Sequence, residues 1–253
     1  MLGRWIGLSP PRRFLVDLLH FAAKIPTVPV QRQMMIGDVV AARKEIADRP
    51  GWSAIFMKAY ALVCREMPAL RRALLRVPWT HLREYPRTIA SIAVERDYRG
   101  EPAVFFGRIK HPETATLAEL QGIIRHFSEA PIDSVRTFQK MLALAKLPRL
   151  LRRALMWLGL NCPPQRPYQF GTFGLSVYSA LGAESLHPLS PLTTTLNYGV
   201  IGDDGSVPVR IVYDHRVLDG ATVARALARL EEVLNGPILA ELRTMRSDLR
   251  LAG

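Results

Sequence analysis

The chain has 253 residues, 49% of them hydrophobic and 22% charged, with a formal net charge of +12 and two cysteines. That length and apolar content exclude a disordered chain or a small disulfide scaffold and suit one large domain with its own core. The basic excess favours an anionic partner, whether nucleic acid, a phosphorylated cofactor, an acidic carrier protein or a membrane surface, without choosing among them. Cys64 falls in a helical pattern and Cys162 in a proline-rich loop, with no metal spacing around either, so free thiols in a reducing, cytoplasmic setting are expected. The first thirteen residues lack the apolar core and cleavage site of a leader, and no apolar run reaches the roughly 20 residues of a membrane span.

In chain order, Pro10-Pro11 suit the first turn of a helix running to Lys24, with apolar residues at 14, 15, 18, 19, 22 and 23 on one face. Ile25-Pro26 ends it. Thr27 to Ile36 alternates as a strand, and a helix follows from Gly37-Asp38 through Ala47. Ser53 to Glu66 is a strongly patterned helix carrying Ile55, Phe56, Ala59, Tyr60, Leu62 and Val63. Strands are expected around 88–95 and 102–109, joined by a turn at Asp97 to Gly100. Thr116 and Glu119 form a capping box that opens a helix over 117–129. Leu196–Ile201 and Val207–Tyr213 read as a hairpin about Gly202-Asp203-Asp204-Gly205. A helix over 221–235 should stop at Asn235-Gly236, with Pro237 starting a last helix. Helices and strands mix without regular βαβ alternation, and no linker or repeat divides the chain, so a single α+β domain over 1–253 is expected.

The stretch richest in chemistry is Tyr213 to Gly220. His215 stands where a strand gives way to a helix, and imidazole can take and return a proton near neutral pH. Asp219 precedes Gly220, which permits a tight turn. The ordinary reading makes Asp219 an N-cap and His215 a half-buried histidine. The spacing argues otherwise. Asp214-His215-Arg216-x-x-Asp219-Gly220 resembles the motif of the dihydrolipoamide acyltransferases, the E2 components of 2-oxoacid dehydrogenase complexes, within the chloramphenicol-acetyltransferase-like superfamily. Gly171-Thr172-Phe173-Gly174-Leu175-Ser176 is similar to that family's Gly-Thr-Phe-Thr-Ile-Ser run. Arg12-Arg13 with a helix to Ile25-Pro26, the helix Ser53 to Glu66, the cap at Thr116, and Pro188 with Pro191 fall in the expected order over nearly the whole length.

The resemblance implies a chloramphenicol-acetyltransferase-like two-layer sandwich of mixed sheet and helices. It implies an acyltransferase moving an acyl group from a thioester donor directly to a hydroxyl, amine or thiol acceptor, lipid-linked acceptors included. His215 would be the base and Ser176 the oxyanion donor. Asp219 would be structural, paired with Arg13 or Arg12. Coenzyme A thioester or an acyl carrier would serve as co-substrate, with no tightly bound cofactor and no metal. The assembly would be a homotrimer with His215 of one chain facing Ser176 of the next. The alternative is a non-catalytic trimeric E2-like scaffold, against which the intact His215, Asp219 and Ser176 speak. Nucleic acid is not an expected partner, since only charge points to it. His20, His81, His111, His126 and His187 lack partners at useful spacing.

The sequence also departs from the family. Neither a lipoyl nor a peripheral-subunit-binding domain is expected, and the segment before the motif is a tight hairpin. An insertion at about 139–165 replaces a short loop. From residue 147, Leu147, Leu150, Leu151, Ala154, Leu155 and Leu158 make one helical face, with Arg149, Arg152 and Arg153 on the other. Packing on its own domain, an acidic carrier or an anionic membrane surface would each suit such a helix. The expectation carried forward is a membrane or substrate-lipid contact by residues 140–160, which would put the protein at the inner face of the membrane.

Overall fold

The structure, a computed structural model, describes residues 3–251, and within them every side chain except those at 180 and 247–251. Pro10–Ala22 forms α1, with both prolines in the first turn, where a missing N–H costs nothing. Thr27–Met35 is β1, Gly37–Lys44 is α2, and Trp52–Glu66 is α3. Ile55, Phe56, Ala59, Tyr60 and Val63 of α3 are fully buried, so this helix is the spine of the core. Arg72–Leu75 (β2) and His81–Glu84 (β3) pair as a small hairpin the sequence did not announce. Ile89–Asp97 (β4) and Pro102–Lys110 (β5) make the long hairpin expected there.

Leu117–Glu129 is α4. Its capping box is formed: Glu119 N donates to Thr116 Oγ1 at 3.2 Å, and Thr116 N to Glu119 Oε2 at 2.8 Å. The inserted stretch holds α5 (Arg136–Ala145), α6 (Arg149–Asn161) and α7 (Arg166–Phe170), with Pro148 separating the first two. Then come β6 (Phe173–Leu175), β7 (Thr194–Tyr198), β8 (Ser206–Asp214), α8 (Gly220–Val233) and α9 (Leu239–Leu251). Asn235-Gly236 does not end the helix as expected. Leu234–Ile238 is a π-helical turn, with Pro237 inside it, that carries α8 into α9. The wider turn accommodates a residue lacking an N–H. Asn235 Nδ2 donates to Met35 O at 2.9 Å, and Leu234 and Ile238 are buried, so packing holds the turn closed.

The main sheet runs β1-β8-β7-β6-β4-β5, parallel at β4–β6 and β6–β7 and antiparallel elsewhere. Its core face meets α3 and α4: Phe56 stacks on Tyr198 at 4.2 Å and Tyr60 meets Phe173 edge-on at 5.0 Å. A Cβ on Gly107 would run into the Phe127 ring of α4, which is why this strand position is glycine. The hairpin turn before β8 needs Gly205 for the same reason and one more: its φ is +78°, and the backbone of Gly37 occupies the Cβ position. On the opposite face α1 crosses the sheet, with Phe14 against Phe106 at 6.1 Å. Ser91, Arg108, Gly174 and Thr195 lie in register in one row on that second face. No helix among the described residues is long and apolar enough to cross a membrane.

Candidate active site

His215 follows the last residue of β8, and the chain around it is held by main-chain bonds. Asp214 N donates to Thr193 O at 2.9 Å, His215 N to Pro26 O at 3.0 Å, and Val217 N and Leu218 N to Asp214 O at 3.0 and 3.1 Å. The buried Asp214 carboxylate accepts from Arg216 N, Nε and a terminal guanidinium nitrogen at 3.0, 2.9 and 2.8 Å. This pairing raises the Arg216 pKa further above its usual value. The His215 ring is exposed, lies 5.5 Å from the Tyr213 ring, and places Nδ1 3.1 Å from Leu218 O. A carbonyl can only accept, so Nδ1 carries the hydrogen and Nε2 keeps its lone pair facing outward. A base in the right tautomer is thus set by backbone geometry alone. Burial, reinforced by the nearby Asp219 charge, raises the Tyr213 phenol above its ordinary value, so its ring stays neutral beside the imidazole.

Asp219 occupies the N-cap position of α8, but its side chain makes no capping bond; its carbonyl accepts from Thr222 N and Val223 N at 3.0 and 3.2 Å. The expected ion pair with Arg12 or Arg13 is not among the contacts of the described residues. Arg12 faces Glu101 at 3.6 Å, and Arg13 Nε donates to Leu8 O at 2.9 Å. Both sit at the start of α1, about 15 Å along the helix from the end that approaches His215. Asp214 and Arg216, paired with each other, flank the histidine. Their signal was present as Asp-His-Arg: an acid and a base two residues apart can close a ring around the residue between them.

Ser176 follows β6. Its N donates to Leu196 O at 3.2 Å, and its own carbonyl accepts from Asn197 Nδ2 at 2.5 Å. The side chain is half-buried at the rim of a cavity of about 280 Å³ on the second sheet face. Gly171, at φ +97°, opens this phrase, and a Cβ there would stand 3.0 Å from Ile89 O and from Ser91 Cβ. The sheet register then separates serine from histidine. Ser176 lies level with Asn197, which pairs with Arg210, and His215 comes five residues later. That is roughly 17 Å along the strands and about 10 Å across them. Within one chain the two do not meet.

Beside the His215 loop is a smaller cavity of about 130 Å³ lined by Lys24, Arg76, Arg166 and Arg216, with Asp214 as its only acid. Burial lowers the Arg166 pKa, and its guanidinium donates to Pro191 O at 3.0 Å. Four cations to one anion give this cavity a positive balance. No group of three or more His, Cys, Asp or Glu among the described residues is placed to hold a metal ion.

The inserted helix turns arginines toward the domain and leucines away from it. Arg152, on the face opposite the leucines, is buried and pairs with Asp17 of α1; Arg153 Nε donates to the same carboxylate at 2.7 Å. Leu150, Leu151, Leu155 and Leu158 are exposed instead. Asp17 is itself buried, and two guanidiniums from α6 are its counter-charge, which overrides the leucine stripe in setting the helix rotation.

No family model matches the sequence, and no curated protein does so. Solved structures do match. A probable dihydrolipoamide acetyltransferase from Listeria monocytogenes aligns over 92% of this chain and 94% of its own, with a TM-score of 0.67 and 16% identity. The dihydrolipoamide acetyltransferase of Azotobacter vinelandii aligns over 95% and 94%, with a TM-score of 0.68 and 18% identity. A chloramphenicol acetyltransferase covers 90% of this chain and 96% of its own, with a TM-score of 0.53 and 13% identity. At these identities the likeness is one of fold. The chain has the chloramphenicol-acetyltransferase-like α+β fold, the one found in dihydrolipoamide acetyltransferase catalytic cores.

Proposed function

We propose that the chain is an acyltransferase that moves an acyl group from a thioester donor, coenzyme A or an acyl carrier, to a hydroxyl, amine or thiol acceptor, in a site shared between the chains of a homotrimer. The observation that carries this reading is the geometry of His215: Nδ1 tied to Leu218 O, Nε2 free, and Ser176 held at the far end of the same sheet. Two groups fixed so far apart in one chain act together only across a subunit boundary, and a closed three-fold ring brings each histidine to a neighbour's serine. Nε2 takes the acceptor's proton as the acceptor attacks the thioester carbonyl. Ser176 Oγ–H donates to the oxygen on which charge develops, the carbon–sulfur bond breaks, and the proton passes from Nε2 to the departing thiolate. Lys24, Arg76, Arg166 and Arg216 would meet the phosphates of a coenzyme A donor. In the Azotobacter vinelandii enzyme, the catalytic roles of a serine, a histidine and an asparagine four residues after it have been examined. On this reading Ser176 and His215 would be the counterparts of that serine and histidine, and Asp219 stands four residues after His215, at the third spacing.

The test is thiol release from a panel of acyl-CoAs and acyl carriers, with hydroxyl, amine and thiol acceptors, in native and His215→Ala chains. Release that needs His215 is the expected result. No release from any donor with any acceptor would overturn the reading.

A further inference from the structure

Two cavities on the second sheet face meet at one arginine. The first, of about 280 Å³, extends from Ser176 past Phe14, Leu18 and Phe106. The second, of about 660 Å³, lies toward the inserted helices, walled by Met141, Leu144, Leu155 and Leu158, with Lys110, Arg136 and Lys140 also lining it. Phe14, Phe106, Arg108 and Phe170 belong to both, and no acidic side chain lines either.

Arg108 is the anomaly. Arg43, Arg71, Arg96, Arg152, Arg166 and Arg210, sheltered like it, each donate to carbonyl or carboxylate oxygens. Among the described residues Arg108 has no hydrogen-bond acceptor and no acidic partner, and burial alone pushes its pKa down to about 10. It therefore stays charged at neutral pH while partly withdrawn from water, an arrangement that costs stability until an anion arrives. Lys110 sits over the Tyr168 ring at 5.4 Å, and Arg136 and Lys140 are exposed, so the same face carries three further cations without an acid. The walls around this charge are largely aromatic and aliphatic, with Ser91 and Gln169 as neutral polar groups beside it. A bare inorganic ion would leave them wet. Leu155 and Leu158 of α6, exposed in the chain, form part of those walls.

We propose that this cleft binds a single-chain anionic amphiphile, an alkyl tail ending in a carboxylate or phosphate, with its head on Arg108 and its tail along Leu144, Leu155 and Leu158. Charge complementarity selects the head, and the apolar walls select the tail. That this cleft serves the chemistry at Ser176 rests on the acyltransferase reading; the binding itself does not.

Calorimetric titration of the full chain with decanoate, decyl phosphate, decanol, inorganic phosphate and phosphatidylglycerol vesicles tests this. Decanoate and decyl phosphate should bind, decanol more weakly, and inorganic phosphate not measurably. Arg108→Met should weaken both anionic ligands about tenfold or more and leave decanol unchanged. The same variant should melt higher than the native chain without ligand, which shows that it folds. Lys140→Ala, on the surface, should weaken the anions by less. Decanol binding as tightly as decanoate, unchanged decanoate affinity in Arg108→Met, or binding confined to vesicles would each overturn the proposal. Repeating the titration in His215→Ala separates the two claims: binding retained there stands even if no acyl transfer is ever found.

Discussion

Mixing two inactive variants should restore activity that neither has alone. In a three-fold ring each site would take His215 from one chain and Ser176 from the next, because the register places them roughly 17 Å apart along the strands of any one chain. A His215→Ala chain keeps its serine, and a Ser176→Ala chain keeps its histidine. Random assembly from an equal mixture puts both native residues in about one site in four, so about a quarter of native kcat should return. Loss of a single oxyanion donor alone lowers kcat about a hundred- to a thousandfold, so the recovery stands well above background. The assay is thiol release as a function of mixing ratio after the chains are refolded together, with subunit exchange checked by native mass spectrometry of differently tagged chains. Activity should follow the product of the two mole fractions and peak at equal mixing. Exchanged trimers that stay as inactive as the parents would refute the shared site.

The other predictions test single contacts. His215→Ala should lower kcat by about a hundred- to ten-thousandfold with an unchanged melting temperature, because the ring is exposed. Arg216→Ala strands the buried Asp214 carboxylate, and should cost about 1–3 kcal/mol in urea unfolding as well as activity. Asp17→Ala leaves Arg152 buried without its counter-charge and should cost about 3–5 kcal/mol, whereas Arg149→Ala, on the surface, should stay within about 0.5 kcal/mol. For Asp17, burial acts to raise the carboxyl pKa, but the bonds from Arg153 and Arg152 outweigh it and leave the value below the usual 3.8. Its folded value lies below its unfolded one, so its contribution is complete above the unfolded value and is lost as pH falls through the folded one. Asp17→Asn should therefore lower stability near neutrality and flatten the acid limb of a stability–pH curve below about pH 4.

Helix and hairpin signals survived folding wherever local chemistry and burial agreed. Thr116 with Glu119, the prolines opening α1, and the glycine-bounded turn before β8 each act through their own backbone, and each is found as read. The signals failed where a distant partner decided. Asn235 and Gly236 are punctuation in isolation, but Asn235 donates to Met35 O, two hundred residues earlier in the chain. The β2–β3 hairpin escaped notice because its strands are four residues each, too short for alternation to register.

The site divides in the same way. The positions of His215 and Ser176 were legible because their motifs are local, each falling one residue past the end of a strand. The ion pair expected of Asp219 with Arg12 or Arg13 is not among the contacts of the described residues, and the arginines meet Glu101 and Leu8 O instead. The inserted helix shows why amphipathicity alone misleads. Its leucine stripe predicts an inward face only if nothing outbids the roughly 25 cal/mol per Å² gained by burying it. Asp17, buried in α1, competes with it: an unpaired buried carboxylate costs several kcal/mol, and pairing it leaves Leu150, Leu151, Leu155 and Leu158 exposed. The helix therefore turns Arg152 and Arg153 inward, and Leu155 and Leu158 become walls of an open cleft. One acidic residue 132 positions before Arg149 thus determines which side of the insertion is available to a ligand, and nothing in the insertion's own sequence records it.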